Sequence, residues 1–387
     1  MKHNYTLLLV GNPYDGHFLR FVKYIHQGNP SAIIDVFGIN QNGKCVSSDY
    51  NTIVRNIYLF DCDKKLAKFP ILRNLEFIHK LRKYFRSNVA KEKYDIVNIH
   101  APLYYHSFLL NDIKSVTKYL VLTPWGSDVY RISNMERRIV KKLYDASNIV
   151  TGSYGLRFTQ DVMRIYNIPE TKMRNVTLFG DQIDYYMEHK DAISVEQAKN
   201  NFGIKEDSYV ITCGYNASLG QRHMEIIDAI DKAKTNLPTN IVLLFPFTYG
   251  GSNEYKESVK KRVQELGFKG VYCETYLNLE SLLKLRLATD MFIHIQTTDA
   301  NNGSLKEYLY FDKNVINGGW LRYDDIEEND YRPYHVTPTV DDLSKVIERA
   351  YRQGPVPLRK RVKETIEYYS YHNLVPKWIE LFMSLVD

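Results

Sequence analysis

The sequence predicts two α/β domains, each a parallel sheet covered by helices on both faces. Three observations predict it. The chain has 387 residues, more than one ordinary core organises. Ten short, β-branched apolar runs alternate with helix-length amphipathic segments, the pattern of strands buried on both faces. The alternation fades once, through the polar, tyrosine-rich stretch 179–207, which divides the runs five and five.

In chain order, the first five runs are 5–10, 32–37, 96–99, 119–122 and 148–150. The second five are 209–213, 241–245, 270–272, 291–295 and 314–316. Each is strand length and is followed by a polar or glycine-bearing segment. The expected domains are therefore 1–185 and 186–370. The last segment, 371–387, carries Trp378, Ile379, Leu381, Phe382 and Leu385 at helical spacing. Such a helix must bury its apolar face, and it is expected to pack back on the first domain. Two doubly wound domains are expected to leave a ligand cleft between them, because open parallel sheets bind beyond the carboxyl ends of their strands.

Composition narrows the class. Hydrophobic residues make up 44% and charged residues 25%, as in soluble globular proteins. No apolar run approaches the roughly 18 to 20 residues of a membrane span, and run 5–10 is too short for a signal peptide, so a cytoplasmic location is expected. The four cysteines, Cys45, Cys62, Cys213 and Cys273, are far apart and suggest neither a disulfide framework nor a metal site. The net charge of +6 is too mild to imply nucleic acid. Segment 79–94 concentrates Lys80, Arg82, Lys83, Arg86, Lys91 and Lys93 against Glu92 alone. It is either a contact with the inner face of a membrane or a solvated helix face packed on its own sheet. Asp61-Cys62-Asp63 matches a metal-binding D-x-D pattern, but two aspartates so spaced are common by chance. Walker A, G-x-G-x-x-G, H-E-x-x-H and G-x-S-x-G motifs are absent, which weakens kinase, dehydrogenase, metalloprotease and hydrolase readings.

The informative polar residues gather where strands end. They are 11–17 with Asp15 and His17, 100–102 with His100, 123–128 with Asp128, 214–223 with Asn216, Arg222 and His223, and 297–307. The last joins a strand to a helix through Asp299, Gly303 and Ser304 and carries Glu307 inside the helix. A helix start aims unpaired N–H groups at an anion, and carboxylates accept sugar hydroxyls. That combination suits a nucleotide diphosphate-sugar.

In this order the loops resemble those of the GT-B glycosyltransferases. Trp125-Gly126-Ser127-Asp128 resembles the W-G-[SA]-D segment of that fold's first domain. Asp299-x7-Glu307 is similar to the E-x7-E motif of retaining family 4 transferases, with Asp in the first place. Segment 213–223 resembles the phosphate loop of the second domain. With 245–249 and 253–255, it is also similar to the 4-acetamidofucosyl transferases of enterobacterial common antigen synthesis, which act on polyprenyl-diphosphate-linked sugars.

The resemblance implies roles. Asn216, Gly303 and Ser304 would hold the donor diphosphate, Glu307 the ribose hydroxyls and Asp299 the sugar ring. Arg222 and His223 would neutralise the leaving diphosphate, with Lys306 a further cation unless it faces solvent. Asp15 and His17 sit where an acceptor hydroxyl could arrive, and an inverting enzyme needs a general base there. Asp128 would bind the acceptor or cap the following helix, and His100 would touch the acceptor or fill the core. The implied function is metal-independent, cofactor-free transfer of a sugar from a nucleotide diphosphate-sugar to a glycan acceptor, lipid-linked, in bacterial surface polysaccharide synthesis. The alternatives are a GT-B epimerase and a non-catalytic nucleotide-sugar-binding protein.

Overall fold

The computed structural model describes residues 4–41, 43–61, 70–153, 155–178 and 180–386. Cys62 and Asp63 of the D-x-D pattern lie outside them. The chain divides into two compact units, Met1–Phe179 with Tyr371–Asp387, and Gly180–Ser370. The division falls six residues before the boundary expected at 185.

The first unit holds seven strands: β1 (Thr6–Val10), β2 (Ile33–Ile39), β3 (Asn56–Phe60), β4 (Tyr94–His100), β5 (Thr117–Thr123), β6 (Ile149–Gly152) and β7 (Met173–Asn175). The second holds six: β8 (Tyr209–Cys213), β9 (Ile241–Phe245), β10 (Lys269–Tyr272), β11 (Met291–His294), β12 (Asn314–Gly318) and β13 (His335–Thr337). The spatial orders are β3-β2-β1-β4-β5-β6-β7 and β10-β9-β8-β11-β12-β13. Every strand pair in both ladders is parallel.

Both sheets reverse their winding at one place, between β1 and β4 in the first and between β8 and β11 in the second. At such a switch the crossover helices leave on opposite faces, so a crevice opens at the carboxyl ends of the two strands. The central strands are buried along their length, with Leu7 to Val10 and Ile241 to Phe245 inside the core.

Strands β3, β7 and β13 were not expected, and all three are sheet edges. An edge strand buries less of itself and carries no long apolar run. Only Phe60 of β3 and Met173 of β7 are buried.

The final helix, Tyr371–Val386, docks on the first unit. Trp378, Leu381 and Phe382 join the core cluster of Tyr5, Phe18, Phe21 and Ile25. The Trp378 indole meets Phe21 edge-on at 4.8 Å and donates its N–H to the Thr177 carbonyl at 2.9 Å. Each such side chain contributes roughly 1.5–3 kcal/mol by leaving water.

In the Pro70–Tyr84 helix and the π turn after it, much of the basic charge is already engaged. Arg82 and Arg86 both bind Asp112, at 3.0 and 2.6 Å, and Lys80 binds Glu76 at 2.5 Å. Leu72 and Leu75 remain exposed. Among the described residues no helix is long and apolar enough to cross a membrane.

Candidate functional site

The switch point of the second unit brings together the loops after β8 and β11. The β8 loop turns at Gly214, whose φ of 66° lies in the left-handed region. A side chain there would meet Gln221 and His223. The Asn216 carboxamide accepts the Ser218 N–H at 2.8 Å and shapes the loop from within. Arg222 then adopts a left-handed backbone, φ 61° and ψ 46°, and opens the helix His223–Ala233. A non-glycine residue held there costs on the order of 1 kcal/mol, and such strain gathers at working sites.

The two loops are tied to each other. Thr297 donates its N–H to the Gly220 carbonyl at 3.0 Å, and the Gln221 amide donates to Gln296. Trp320, just after β12, donates its indole N–H to the Gln296 carbonyl at 2.7 Å. The Arg222 guanidinium lies over the Trp320 ring at 5.1 Å and has no carboxylate partner among the described residues. It is the uncommitted positive charge of this strand end.

His223 differs from expectation. It is fully buried, its Nδ1 is 3.0 Å from the Tyr255 hydroxyl, and burial lowers its pKa to about 4. It is neutral near pH 7 and adds no charge against a diphosphate.

The loop after β11 ends in the helix Gly303–Tyr310. Asn302 caps it, taking the Leu305 N–H at 2.7 Å. A helix start leaves its first N–H groups without an internal acceptor, here those of Gly303 and Ser304.

Asp299 also departs from expectation, because its carboxylate turns into the protein. Oδ1 accepts the Ala300 N–H at 2.7 Å. Oδ2 takes the Asn302 amide at 2.7 Å and lies 3.1 Å from His294 Nε2. Burial raises its pKa, but the hydrogen bonds from His294, Asn302 and Ala300 outweigh burial and hold it below the usual carboxylate range. With both oxygens so engaged, Asp299 shapes the loop rather than reaching a sugar ring. Lys306 is neither solvent-facing nor a free cation. It is buried 2.5 Å from Asp325 Oδ2 and stands over the Tyr369 ring at 4.0 Å.

Glu307 is buried as well. Its Oε2 accepts from Arg286 Nε at 2.9 Å and from the Tyr186 hydroxyl at 2.9 Å. Arg286 and Tyr186 escaped the sequence reading. The available signal was Arg286 itself, a charge among buried leucines in the helix Leu279–Ala288.

In the first unit the strand ends are organised differently. Asp15 caps the helix Gly16–Gly28, its Oδ1 taking the N–H groups of His17 at 2.8 Å and Phe18 at 3.1 Å. His17 is exposed, with Nδ1 3.0 Å from an Arg20 nitrogen and its ring edge-on to Trp125 at 6.4 Å. His100 is a core residue, packed against Phe18, Phe21, Trp125 and Trp378. Its Nδ1 accepts the Trp125 indole N–H at 3.3 Å, and burial lowers its pKa to about 3. An acceptor contact from so enclosed a ring does not fit.

Asp128 binds the turn behind it. Oδ1 accepts the Trp125 N–H at 2.9 Å and the Gly126 N–H at 2.7 Å. Oδ2 is buried without a hydrogen-bond partner among the described residues. Burial raises the carboxyl to about 6 despite those bonds. The capping expected of Asp128 is thus directed at the preceding turn, not at the following helix.

Residues 6–153 match a family model described as glycosyl transferase 4-like. No curated protein matches the sequence. Solved structures match over the whole length. A glycosyltransferase from Rickettsia africae aligns with a TM-score of 0.68 at 15% identity, over 100% of this chain and 99% of that one. Sucrose-phosphate synthase from Thermosynechococcus elongatus gives 0.70 at 11%, covering 99% of each. Anabaena HepE, in complex with UDP and glucose, gives 0.68 at 12%, over 98% of this chain and 100% of that one. Such identities speak for architecture, and with the two parallel sheets they establish a two-domain, Rossmann-like GT-B fold whose first unit carries the match to the glycosyl transferase 4-like model.

Proposed function

We propose that this protein is a glycosyltransferase that moves a sugar from a nucleotide diphosphate-sugar to a glycan acceptor. One observation carries the reading. At the switch point of the second sheet, the uncommitted Arg222 stands beside the loop that leads to the Gly303–Tyr310 helix start and its buried Glu307. A cation and helix-start N–H groups suit a diphosphate, and a carboxylate suits hydroxyls. HepE, similar in fold, was solved with UDP and glucose.

Departure of a nucleoside diphosphate leaves charge on oxygen. In this proposal Arg222 and the N–H groups at the starts of His223–Ala233 and Gly303–Tyr310 stabilise it. Transfer is then expected to persist in EDTA. In the first unit, His17 is exposed in the first turn of the helix that follows β1 and is the candidate to meet the acceptor. The likeness of 213–223, 245–249 and 253–255 to 4-acetamidofucosyl transferases supports a polyprenyl-diphosphate-linked acceptor and a role in surface polysaccharide synthesis on the cytoplasmic side of a membrane. Exposed Leu72 and Leu75 with the basic segment 79–94 supply the membrane contact in this proposal.

The test is donor consumption, with and without polyprenyl-diphosphate glycans, across UDP-, GDP- and dTDP-sugars. Arg222→Ala is expected to lower transfer about 100-fold or more while the fold persists, the effect of removing one positioned donor. Full activity of this variant would refute the site. Donor binding without consumption would make the protein a non-catalytic binder, and a new sugar nucleotide formed without acceptor would make it an epimerase.

A further inference from the structure

We propose that Arg286 and Gly303 together prepare Glu307 to receive ribose hydroxyls: Arg286 fixes one carboxylate oxygen and Gly303 leaves the other uncovered. This rests on the nucleotide-sugar reading of the site; it assigns Arg286, which that reading did not use, and gives Gly303 a second role.

The Glu307 side chain is 9% exposed and Arg286 only 4%. Arg286 spends each guanidinium nitrogen on a different partner. Nε binds Glu307 Oε2 at 2.9 Å, Nη1 binds the Tyr308 hydroxyl at 2.9 Å, and Nη2 binds Ser304 Oγ at 3.1 Å. Tyr186 adds a second donor to the same Oε2 at 2.9 Å. A planar fork held at three points fixes the carboxylate in orientation as well as position, which a lysine cannot do.

The other oxygen, Oε1, has no partner among the described residues. Its place is marked by Gly303, where a Cβ would lie 3.6 Å from it. It therefore sits beside the first residue of the helix, near the unpaired N–H groups. An ionised carboxylate only accepts hydrogen bonds, so its ligand must donate. A cation is disfavoured there by Arg286 and by the positive helix end. A hydroxyl-bearing group joined to an anion satisfies both, and the ribose of a nucleoside diphosphate is such a group.

Gly303 is not in the left-handed region, and 3.6 Å is ordinary van der Waals contact. Gly303→Ala should fold without rearrangement and place a methyl group over Oε1. It is a steric probe separable from stability, and it keeps the proposal testable if Arg286→Lys proves unstable. Arg286 is a positioning residue, so the readout must respond to hydroxyls rather than to affinity alone.

The experiment is calorimetric titration of the wild type, Gly303→Ala and Arg286→Lys with UDP and GDP, each beside its 2′,3′-dideoxy form. The wild type is expected to prefer the ribonucleotide by about tenfold or more, the loss of a hydrogen bond to a charged group. In both variants that preference should collapse, whatever the change in affinity for the dideoxy form. Variants that keep the wild-type ratio, or that lose affinity equally for both forms, would overturn the proposal. A wild type that binds both forms equally overturns it too, while leaving the site reading intact. A wild type that binds none of UDP, GDP and dTDP removes the site reading and this proposal with it.

Discussion

The two sheets are wound alike, yet their switch points handle charge in opposite ways. At the ends of β1, β4 and β5, polar groups are absorbed by the first unit. Asp15 caps a helix, Asp128 clasps its own turn, and His100 sits neutral among aromatic rings. At the ends of β8 and β11, charges are buried in pairs that fix one another, Arg286 with Glu307 and Lys306 with Asp325. Arg222 is left over. A shared backbone architecture supplies a crevice in each unit, and charge placement decides which crevice suits an anion. Buried ion pairs are weak contributors to stability because desolvation offsets their attraction. Four such groups around one loop therefore suggest that orientation is what they supply.

The largest test of this contrast is structural. Trp378→Ala should cost about 3–5 kcal/mol in equilibrium urea unfolding, the range for truncating a buried aromatic. Nucleotide affinity at native temperature should survive, since every residue assigned to the donor lies in the other unit. A parallel loss of affinity would break the division of roles.

Next in size is acid lability. His100 and His106 are lowered to about 3 and His223 to about 4, each chiefly by burial. The unfolded chain takes up these protons near pH 6.5 while the folded chain declines them. Stability is therefore complete above pH 6.5 and is lost as pH falls toward 4, by about 1.4 kcal/mol per histidine per unit. Two of the three lie in the first unit, so its signals should melt first on acidification. C2 proton shifts of His100, His106 or His223 that titrate near 6.5 in the folded protein would contradict this.

The smallest effect sharpens the first unit's side. The raised Asp128 carboxyl favours the folded state at low pH, and that contribution fades as pH rises through about 6. Asp128→Asn keeps an acceptor for Trp125 and Gly126 and carries no charge. It should gain up to about 3 kcal/mol at pH 8, about 1 kcal/mol at pH 4.5 and nothing well below pH 3.8, at about 1.4 kcal/mol per unit of the raised carboxyl. Loss of acceptor turnover with unchanged stability would instead make Asp128 a ligand-contacting residue.

Much of the fold was legible because buried parallel strands leave a strong mark, a continuous apolar run closed by a polar turn. All ten runs read from the sequence became strands. Site loops were legible for the same reason, since strand ends follow from strands. Side-chain direction was not. Asp299, Lys306 and Glu307 read as one polar stretch, but their orientations depend on partners elsewhere in the chain: His294, Asp325, Arg286 and Tyr186. Tyr186 lies 121 residues from Glu307, and no local pattern encodes that meeting.

The sequence by itself determined the alternation of strand and helix, the polar strand ends and the apolar final helix. These are local consequences of periodicity and turn chemistry. Tertiary structure decided the edge strands β3, β7 and β13: the first two bury one residue each, and β13 buries only the polar His335 and Thr337, which no apolar run marks. It also decided which charges were spent and which were left. A charge's fate depends on what the fold brings within about 4 Å, where desolvation and pairing compete. Folding spent Asp299 and Lys306 inside the protein and left Arg222 without a carboxylate partner among the described residues.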